Sequence, residues 1–255
     1  MLALIGIGLD TKDISLKSLD FIKSADLVIC DSYTSIINNE AIPFISEYTK
    51  KEITRAGRKT FEDDLKSTIT PAKEKDMAIL VIGDPLIATT HHIILDEARK
   101  QGIKTKVFHS SSVFCAAIGE SGLDIYKFGP TTTIPYWSKN YKPTSFLDAV
   151  SRNLESGQHT LLLLDINQEA HTPMTIEEAS DILTKAMQAA KSSINNGTKV
   201  LAIGDIGTNN QSILYTTISK LHSSAARLSG KAICLIIPGK TSFAEDEALA
   251  TFDKI

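Results

Sequence analysis

Short apolar runs alternate along this chain with amphipathic stretches of helical period. Leu2-Ala3-Leu4-Ile5-Gly6-Ile7-Gly8 is apolar without interruption, the pattern of a strand covered on both faces, and it ends in glycines. Ser15 precedes Leu16 to Ser24, where Leu16, Leu19 and Ile22 recur on one side of a predicted helix. Leu27-Val28-Ile29-Cys30 predicts a second buried strand closing on Asp31. A helical patch from Ile36 to Tyr48, a short strand from Lys51 to Arg55 and a charged helix from Phe61 to Lys73 follow. The apolar run Met77 to Ile82 is the next strand, and Ile93 to Lys100 the next helix, stopped by Gly102. Lys104 to Phe108 reads as a strand, His109-Ser110-Ser111-Ser112 as a corner, and Val113 to Gly119 as a helix. Strand and helix in this alternation predict a parallel sheet covered on both faces.

The punctuation changes between Gly119 and Pro130, where Gly122, Gly129 and Pro130 break the pattern around Tyr126 and Phe128. The expected boundary lies just before this, giving an N-terminal α/β domain of residues 1–112 and a C-terminal α/β domain of residues 113–255. The second half predicts strands at Thr131 to Ile134, Thr160 to Leu164, Thr198 to Ile203, Ile213 to Thr217 and Ala232 to Ile237. Helices are predicted at Thr144 to Glu155, Thr175 to Lys191 and Ser219 to Arg227, with a short acidic helix at the end.

The stretch Gly83-Asp84-Pro85-Leu86-Ile87-Ala88-Thr89-Thr90-His91-His92 is a strand-to-helix corner rich in small and polar residues. Ligands of open α/β sheets bind outside the carboxyl ends of the strands, which makes this corner a candidate cofactor site. Gly83 permits a sharp turn or a close approach, and Pro85 constrains Asp84 to extended backbone. Asp-Pro as a plain turn, with Thr89 or Thr90 capping the next helix, accounts for the same residues. Gly6-Ile7-Gly8 with Asp31 imitates a dinucleotide fingerprint, but the third glycine position is Thr11, and Asp10, Lys12 and Asp13 make the loop charged where a pyrophosphate needs a positive helix end. Asp84, Asp165 and Asp205 each end or follow a strand, which suits a cationic ligand or ribose hydroxyls, or simply solvated strand ends.

Composition narrows the classes. The 255 residues are 42% hydrophobic and 22% charged, with a formal net charge of −3, so no general basic excess points to nucleic acid or an anionic membrane surface. Cys30, Cys115 and Cys234 are far apart in apolar contexts and read as reduced core thiols. Met1 to Gly6 has no basic leader pattern, and no apolar run reaches the ~20 residues of a membrane span, so the expectation is a soluble cytoplasmic protein. His91 and His92 are neighbours on a predicted helix, about 100° apart, and His109, His159, His171 and His222 are isolated; no metal site is expected. No serine has a recognisable base partner. Tyr136, Trp137 and Tyr141 either meet a partner or cover a core edge.

Several stretches together resemble one family. Ile5 to Leu9, Gly83 to His91, Gly122-Leu123-Asp124-Ile125-Tyr126-Lys127-Phe128-Gly129, His159 to Asp165 and Ile237-Pro238-Gly239-Lys240 stand in the order and spacing of the diphthine synthases, across nearly the whole chain. These belong to the tetrapyrrole-methylase-like class of S-adenosylmethionine-dependent methyltransferases. The resemblance implies two α/β domains with a cofactor cleft between them and a homodimer. It also implies methyl transfer from S-adenosylmethionine to the amino group of a modified histidine on elongation factor 2, leaving S-adenosylhomocysteine. Positions matching the family's cofactor contacts carry Leu9, Asp84, Ile87, Ser112 and Val113 in the first half and Leu164, Ile206 and Ile233 in the second. Ile206 stands in a loop that differs from the arginine-containing version, and Ile233 where a histidine is common. No catalytic residue is assigned; Asp84, Asp165 and water are the candidates for taking the amine's proton. Lys127, Lys139 and Lys142 are candidate contacts to acidic groups of the factor. A methylase of a precorrin or another small molecule, and a partner-binding protein with a decayed cofactor cleft, are the alternatives.

Overall fold

The computed structural model describes residues 1–34, 40–167, 172–190, 194–228 and 232–254. The chain forms two compact units, Met1–Val113 and Phe114–Ile255.

In the first unit, β1 (Leu2–Gly6), β2 (Leu27–Asp31), β3 (Thr54–Ala56), β4 (Met77–Val81) and β5 (Thr105–Phe108) form one sheet in the order β3-β2-β4-β1-β5. Every pairing in it is parallel. The helices are α1 (Leu16–Ser24), α2 (Ala41–Thr49), α3 (Arg58–Phe61), α4 (Leu65–Ile69), α5 (His92–Lys100) and α6 (Val113–Glu120), the last crossing into the second unit. Strand side chains alternate between faces. Leu2, Leu4, Met77, Ile79 and Val81 pack with Phe61, Leu65, Ile94 and Leu95, whereas Ala3, Ile5, Ala78 and Leu80 pack with Leu19, Ile22, Ile42 and Ile45. Both faces are therefore closed, as the uninterrupted apolar runs require. From β1 the chain moves toward β2 and β3, and from β4 it crosses β1 to β5. The carboxyl ends of β1 and β4 thus lie where the strand order reverses, the usual ligand position of such sheets.

Two expectations change here. The helix expected from Phe61 to Lys73 is broken into α3, α4 and a 3₁₀ turn at Thr70–Lys73. Glu62-Asp63-Asp64 places three acids at the carboxyl end of α3, where the helix dipole disfavours them, and Pro71 confines the tail to a fresh start. Phe61, Leu65, Ile69 and Ala72 are still all buried, so the periodic face survives the breaks. The helix expected from Ile36 to Tyr48 is seen from Ala41, and residues 36–39 lie outside the described ones, as do Lys191 and His171.

The second unit contains β6 (Thr132–Ile134), α7 (Ser145–Glu155), β7 (Thr160–Leu164), the small pair β8 (Ile166–Asn167) and β9 (Thr172–Pro173), then α8 (Ile176–Ala190) and β10 (Lys199–Gly204). It closes with β11 (Ser212–Thr217), α9 (Ile218–Leu221), β12 (Ile233–Ile237), α10 (Phe243–Thr251) and β13 (Asp253–Lys254). Its six-stranded sheet, β13-β11-β10-β12-β7-β6, is mixed: β10 pairs antiparallel with β11 and β12, and β12 with β7. One face packs Leu162, Ala202, Leu235 and Ile237 against Leu147 and Val150 of α7 and Ala179, Leu183 and Ala186 of α8. Cys30 and Cys234 are core thiols that burial pushes up to about 12, but Cys115 is exposed on α6, contrary to the expectation of a core position.

Candidate functional site

The carboxyl ends of β1, β4 and β5 meet by register, because Gly6 stands beside Val81 and Ile5 beside Phe108. Beyond them Gly8 and Gly83 exchange backbone hydrogen bonds of 3.2 and 2.9 Å, which fuses the two central corners. A Cβ on Gly6 would fall 2.6 Å from Gly83 O and 2.9 Å from Pro85 Cδ and Ser110 Cβ. The imitation of a dinucleotide fingerprint is explained: this glycine admits the chain's own backbone, not a pyrophosphate. Asp13 carries out local work that the sequence did not reveal. Its Oδ2 accepts from Leu9 N at 3.0 Å, Asp10 N at 3.2 Å and Ser111 Oγ at 2.7 Å, tying the β1 loop to the β5 corner.

Asp84 is 5% exposed. Its Oδ1 accepts from Leu86 N at 3.0 Å, closing the Asp-Pro turn, and its Oδ2 accepts from His109 Nδ1 at 2.8 Å and Ser110 N at 3.3 Å. The carboxylate therefore fixes the β4 corner against the β5 corner. The corner also stores strain, since Ala88 sits at φ 56°, a left-handed conformation unfavourable for any residue with a Cβ. Ile87, next to it, is 40% exposed. Leu9 is half-buried at the start of the β1 loop, Ser112 is buried, and Val113 opens α6. The structure thus brings Asp84 to the corner occupied by Ser110 to Ser112, with Leu9 joined to it through Ser111 Oγ at 3.3 Å.

In the second unit Leu164 ends β7, Ile233 begins β12, and Ile206 follows β10. The register places Cys234 beside Leu163 and Gly204 beside Ile233, so all three stand at one end of the sheet. Leu164 and Ile233 pack at the edge of the core and Ile206 is 5% exposed. Asp205, at φ 45°, accepts Ala232 N at 3.0 Å, and Asp165 accepts Tyr136 N at 3.0 Å and Ile166 N at 2.8 Å. Both acids hold backbone at the strand ends.

The loop aromatics divide. Tyr136 and Trp137 pack on the core, with Trp137 Nε1 donating to Pro143 O at 3.1 Å, whereas Tyr141 is exposed. Lys127 is not a free contact for an acidic partner: its Nζ is bonded to Glu245, whose other oxygen accepts from His159 Nε2 at 2.9 Å. Phe128 bridges to His159 as an isolated strand pair, with the two rings 5.2 Å apart. Tyr126-Lys127-Phe128-Gly129 is thus a clamp within the second unit.

Sequence reasoning also missed the pairing of Asp31 with His91. His91 Nε2 lies 3.0 Å from Asp31 Oδ2 with both side chains 1% exposed. An acid at the end of β2 and a histidine before α5 carry no shared pattern; only the strand order β2-β4 joins them. Among the described residues no group of three or more His, Cys, Asp and Glu side chains is placed to hold a metal ion, and no helix is long and apolar enough to cross a membrane.

Known proteins resemble the chain over its length. The profile of the Tetrapyrrole (Corrin/Porphyrin) Methylases matches residues 1–222. A diphthine synthase of Methanococcus maripaludis is 38% identical over 251 residues, 98% of this chain and 97% of that one. A diphthine synthase of Methanocaldococcus jannaschii is 36% identical over 254 residues, again 98% and 97% of the two chains. A crystal structure of diphthine synthase superposes with a TM-score of 0.88 and 30% identity, covering 100% of this chain and 96% of that chain. With the parallel-sheet corner at Gly83 to His91 and these full-length similarities, the chain belongs to the tetrapyrrole methylase family and, within it, to the diphthine synthases.

Proposed function

We propose that this protein transfers methyl groups from S-adenosylmethionine to the amino group of the modified histidine of elongation factor 2, giving diphthine and S-adenosylhomocysteine. The observation that carries this reading is the identity of 38% to a diphthine synthase across 98% of the chain. The donor set fits the cofactor: a buried carboxylate and small residues at the first unit's strand ends, and apolar Leu164, Ile206 and Ile233 at one sheet end of the second. S-adenosylmethionine brings a sulfonium-bound methyl group and a ribose but no phosphate, so an acidic corner suits it. Leu9, Asp84, Ile87, Ser112 and Val113 in the first unit, and Leu164, Ile206 and Ile233 in the second, are the proposed contacts. Asp84 orders the corner and supplies negative charge, and the protein's main contribution to rate is in-line placement of the acceptor amine. A homodimer in the cytoplasm, acting on protein and without direct nucleic-acid contact, completes the proposal; the net charge of −3 supports the last point.

The test is calorimetric titration with S-adenosylmethionine and S-adenosylhomocysteine, followed by transfer of labelled methyl to elongation factor 2 bearing the unmethylated modified histidine. Saturable binding with incorporation is expected, and none into factor whose histidine is replaced. Binding without incorporation would refute the substrate; a folded protein with no binding would refute the activity.

A further inference from the structure

An ammonium group must lose a proton before its nitrogen can accept a methyl group, and the group that takes this proton must reach a substrate carried on another protein. Asp84 and Asp165, the acids expected to compete with water for the proton, both hold backbone. Asp165 accepts Tyr136 N at 3.0 Å through one oxygen and Ile166 N at 2.8 Å through the other. Asp84 accepts Leu86 N at 3.0 Å through Oδ1, and His109 Nδ1 at 2.8 Å and Ser110 N at 3.3 Å through Oδ2. Its side chain is only 6% exposed, so a protein-borne amine meets what Asp84 holds rather than Asp84 itself.

His109 follows β5 directly, and its side chain is 68% exposed although it is bonded to that nearly buried carboxylate. An ionised carboxylate only accepts, so the proton of a neutral ring belongs on Nδ1. Nε2 then carries the lone pair, and among the described residues it meets no hydrogen-bond partner. The imidazole is held at its inner nitrogen and presents its outer one to solvent. A buried acid in this position fixes the tautomer and orientation of the ring and stabilises the imidazolium that protonation creates. Location ties the ring to the proposed chemistry. His109 is bonded to Asp84 and stands three residues before Ser112, two of the proposed cofactor contacts. His91 has no such access, since its side chain is 1% exposed and its Nε2 lies 3.0 Å from Asp31.

We propose that His109 is the general base of the methyl transfer, with Asp84 as the positioning residue behind it. The inference rests on the methyltransferase function proposed above. The acceptor ammonium gives a proton to His109 Nε2, and the freed nitrogen lone pair forms the new N–C bond. The electron pair of the broken C–S bond returns to sulfur. What remains is a methylated amine, S-adenosylhomocysteine and an imidazolium whose Nδ1–H still donates to Asp84 Oδ2. Because the ring is exposed, it returns its proton to water before the next transfer.

The test uses the full-length protein, with labelled-methyl transfer to elongation factor 2 bearing the unmethylated modified histidine, calorimetry with S-adenosylmethionine, and NMR of the His109 ring. The neutral wild-type ring is expected to carry its proton on Nδ1, and its signals to shift when the factor is added. A proton on Nε2, or a ring undisturbed by the factor, would overturn the proposal without reference to turnover. His109→Ala is expected to lower kcat by about 100-fold while affinity for S-adenosylmethionine stays within about twofold. Added imidazole, entering the space of an exposed ring, is expected to restore kcat at least about tenfold. His109→Gln can donate to Asp84 but cannot take a proton, so it should be as slow as His109→Ala while unfolding at the wild-type temperature. Undiminished kcat in either variant, or a loss in His109→Ala that imidazole does not relieve, would overturn the role of base. Wild-type protein that neither binds S-adenosylmethionine nor transfers methyl would instead overturn the proposed function, and the inference with it.

Discussion

Glu245 accepts four hydrogen bonds in the second unit and gives the sharpest test of the clamp around Lys127. Its residue is 4% exposed. Oε1 accepts from Asp124 N at 3.0 Å and His159 Nε2 at 2.9 Å, and Oε2 accepts from Ser242 N at 2.6 Å and from Lys127 Nζ. Burial alone would raise its pKa, but these donors outweigh burial and hold the carboxyl well below the usual range. Replacing it with glutamine puts an NH₂ against two of four donors and leaves either the buried His159 N–H or a backbone amide without an acceptor. Lys127, 30% exposed, can turn to water, so the loss falls at the low end of that for a broken buried pair, about 3 kcal/mol. Thermal unfolding of Glu245→Gln followed by circular dichroism should show the second unit's transition lowered by roughly 6–12 °C. The pH dependence divides between two groups. His159 Nδ1 accepts from Gly239 N at 2.8 Å, and burial lowers the pKa of the ring below its ordinary 6.5. Stability is therefore full above about pH 6.5 and falls as pH drops toward the folded value. Glu245 contributes fully above its ordinary 4.5, and its share is lost only as pH falls below that toward its depressed folded value. The substitution should abolish the lower phase. A shift under about 1 kcal/mol, or undiminished acid sensitivity below pH 4.5, would refute the account of Glu245 as the centre of the clamp.

Two further outcomes follow from the first unit's corners. Gly6→Ala drives a methyl group against the Gly83 carbonyl, which accepts from Gly8 N while Gly83 N donates back to Gly8 O, so urea unfolding should show a loss of about 2–3 kcal/mol; a loss below about 0.5 kcal/mol would show that the corners are not closely fused. Asp84→Asn keeps an acceptor for Leu86 N but sets a donor toward Ser110 N and His109; it should cost about 1–2 kcal/mol and weaken S-adenosylmethionine binding by calorimetry, and unchanged affinity would remove Asp84 from the cofactor site.

What the sequence discloses is set by the range of the physics that encodes it. The central strands were readable because both their faces are buried: Leu2 to Ile5 and Met77 to Val81 have no polar residue to interrupt them. The breaks between α3, α4 and the 3₁₀ turn were not, because the buried face of Phe61, Leu65, Ile69 and Ala72 keeps helical spacing across them. Strand order lies further out of reach. Nothing local says that β4 lies between β2 and β1, and that order is what sets Asp31 beside His91. Lys127 makes the same point in the second unit, since its partner Glu245 is 118 positions away. The glycine and acid pattern at Gly6, Gly8 and Asp31 could be weighed only as a motif, whereas the structure assigns Gly6 to corner packing and Asp31 to a buried contact with His91. Residues that resemble a motif in sequence are therefore separable by what a Cβ or a carboxylate at each would touch. By that criterion the loop 83–91 stands apart, because it is strained at Ala88, anchored by Asp84 at one end, and ends at His91, whose Nε2 lies 3.0 Å from the buried Asp31 carboxylate. A fold that needed only a turn between β4 and α5 would have no reason to retain those three features together.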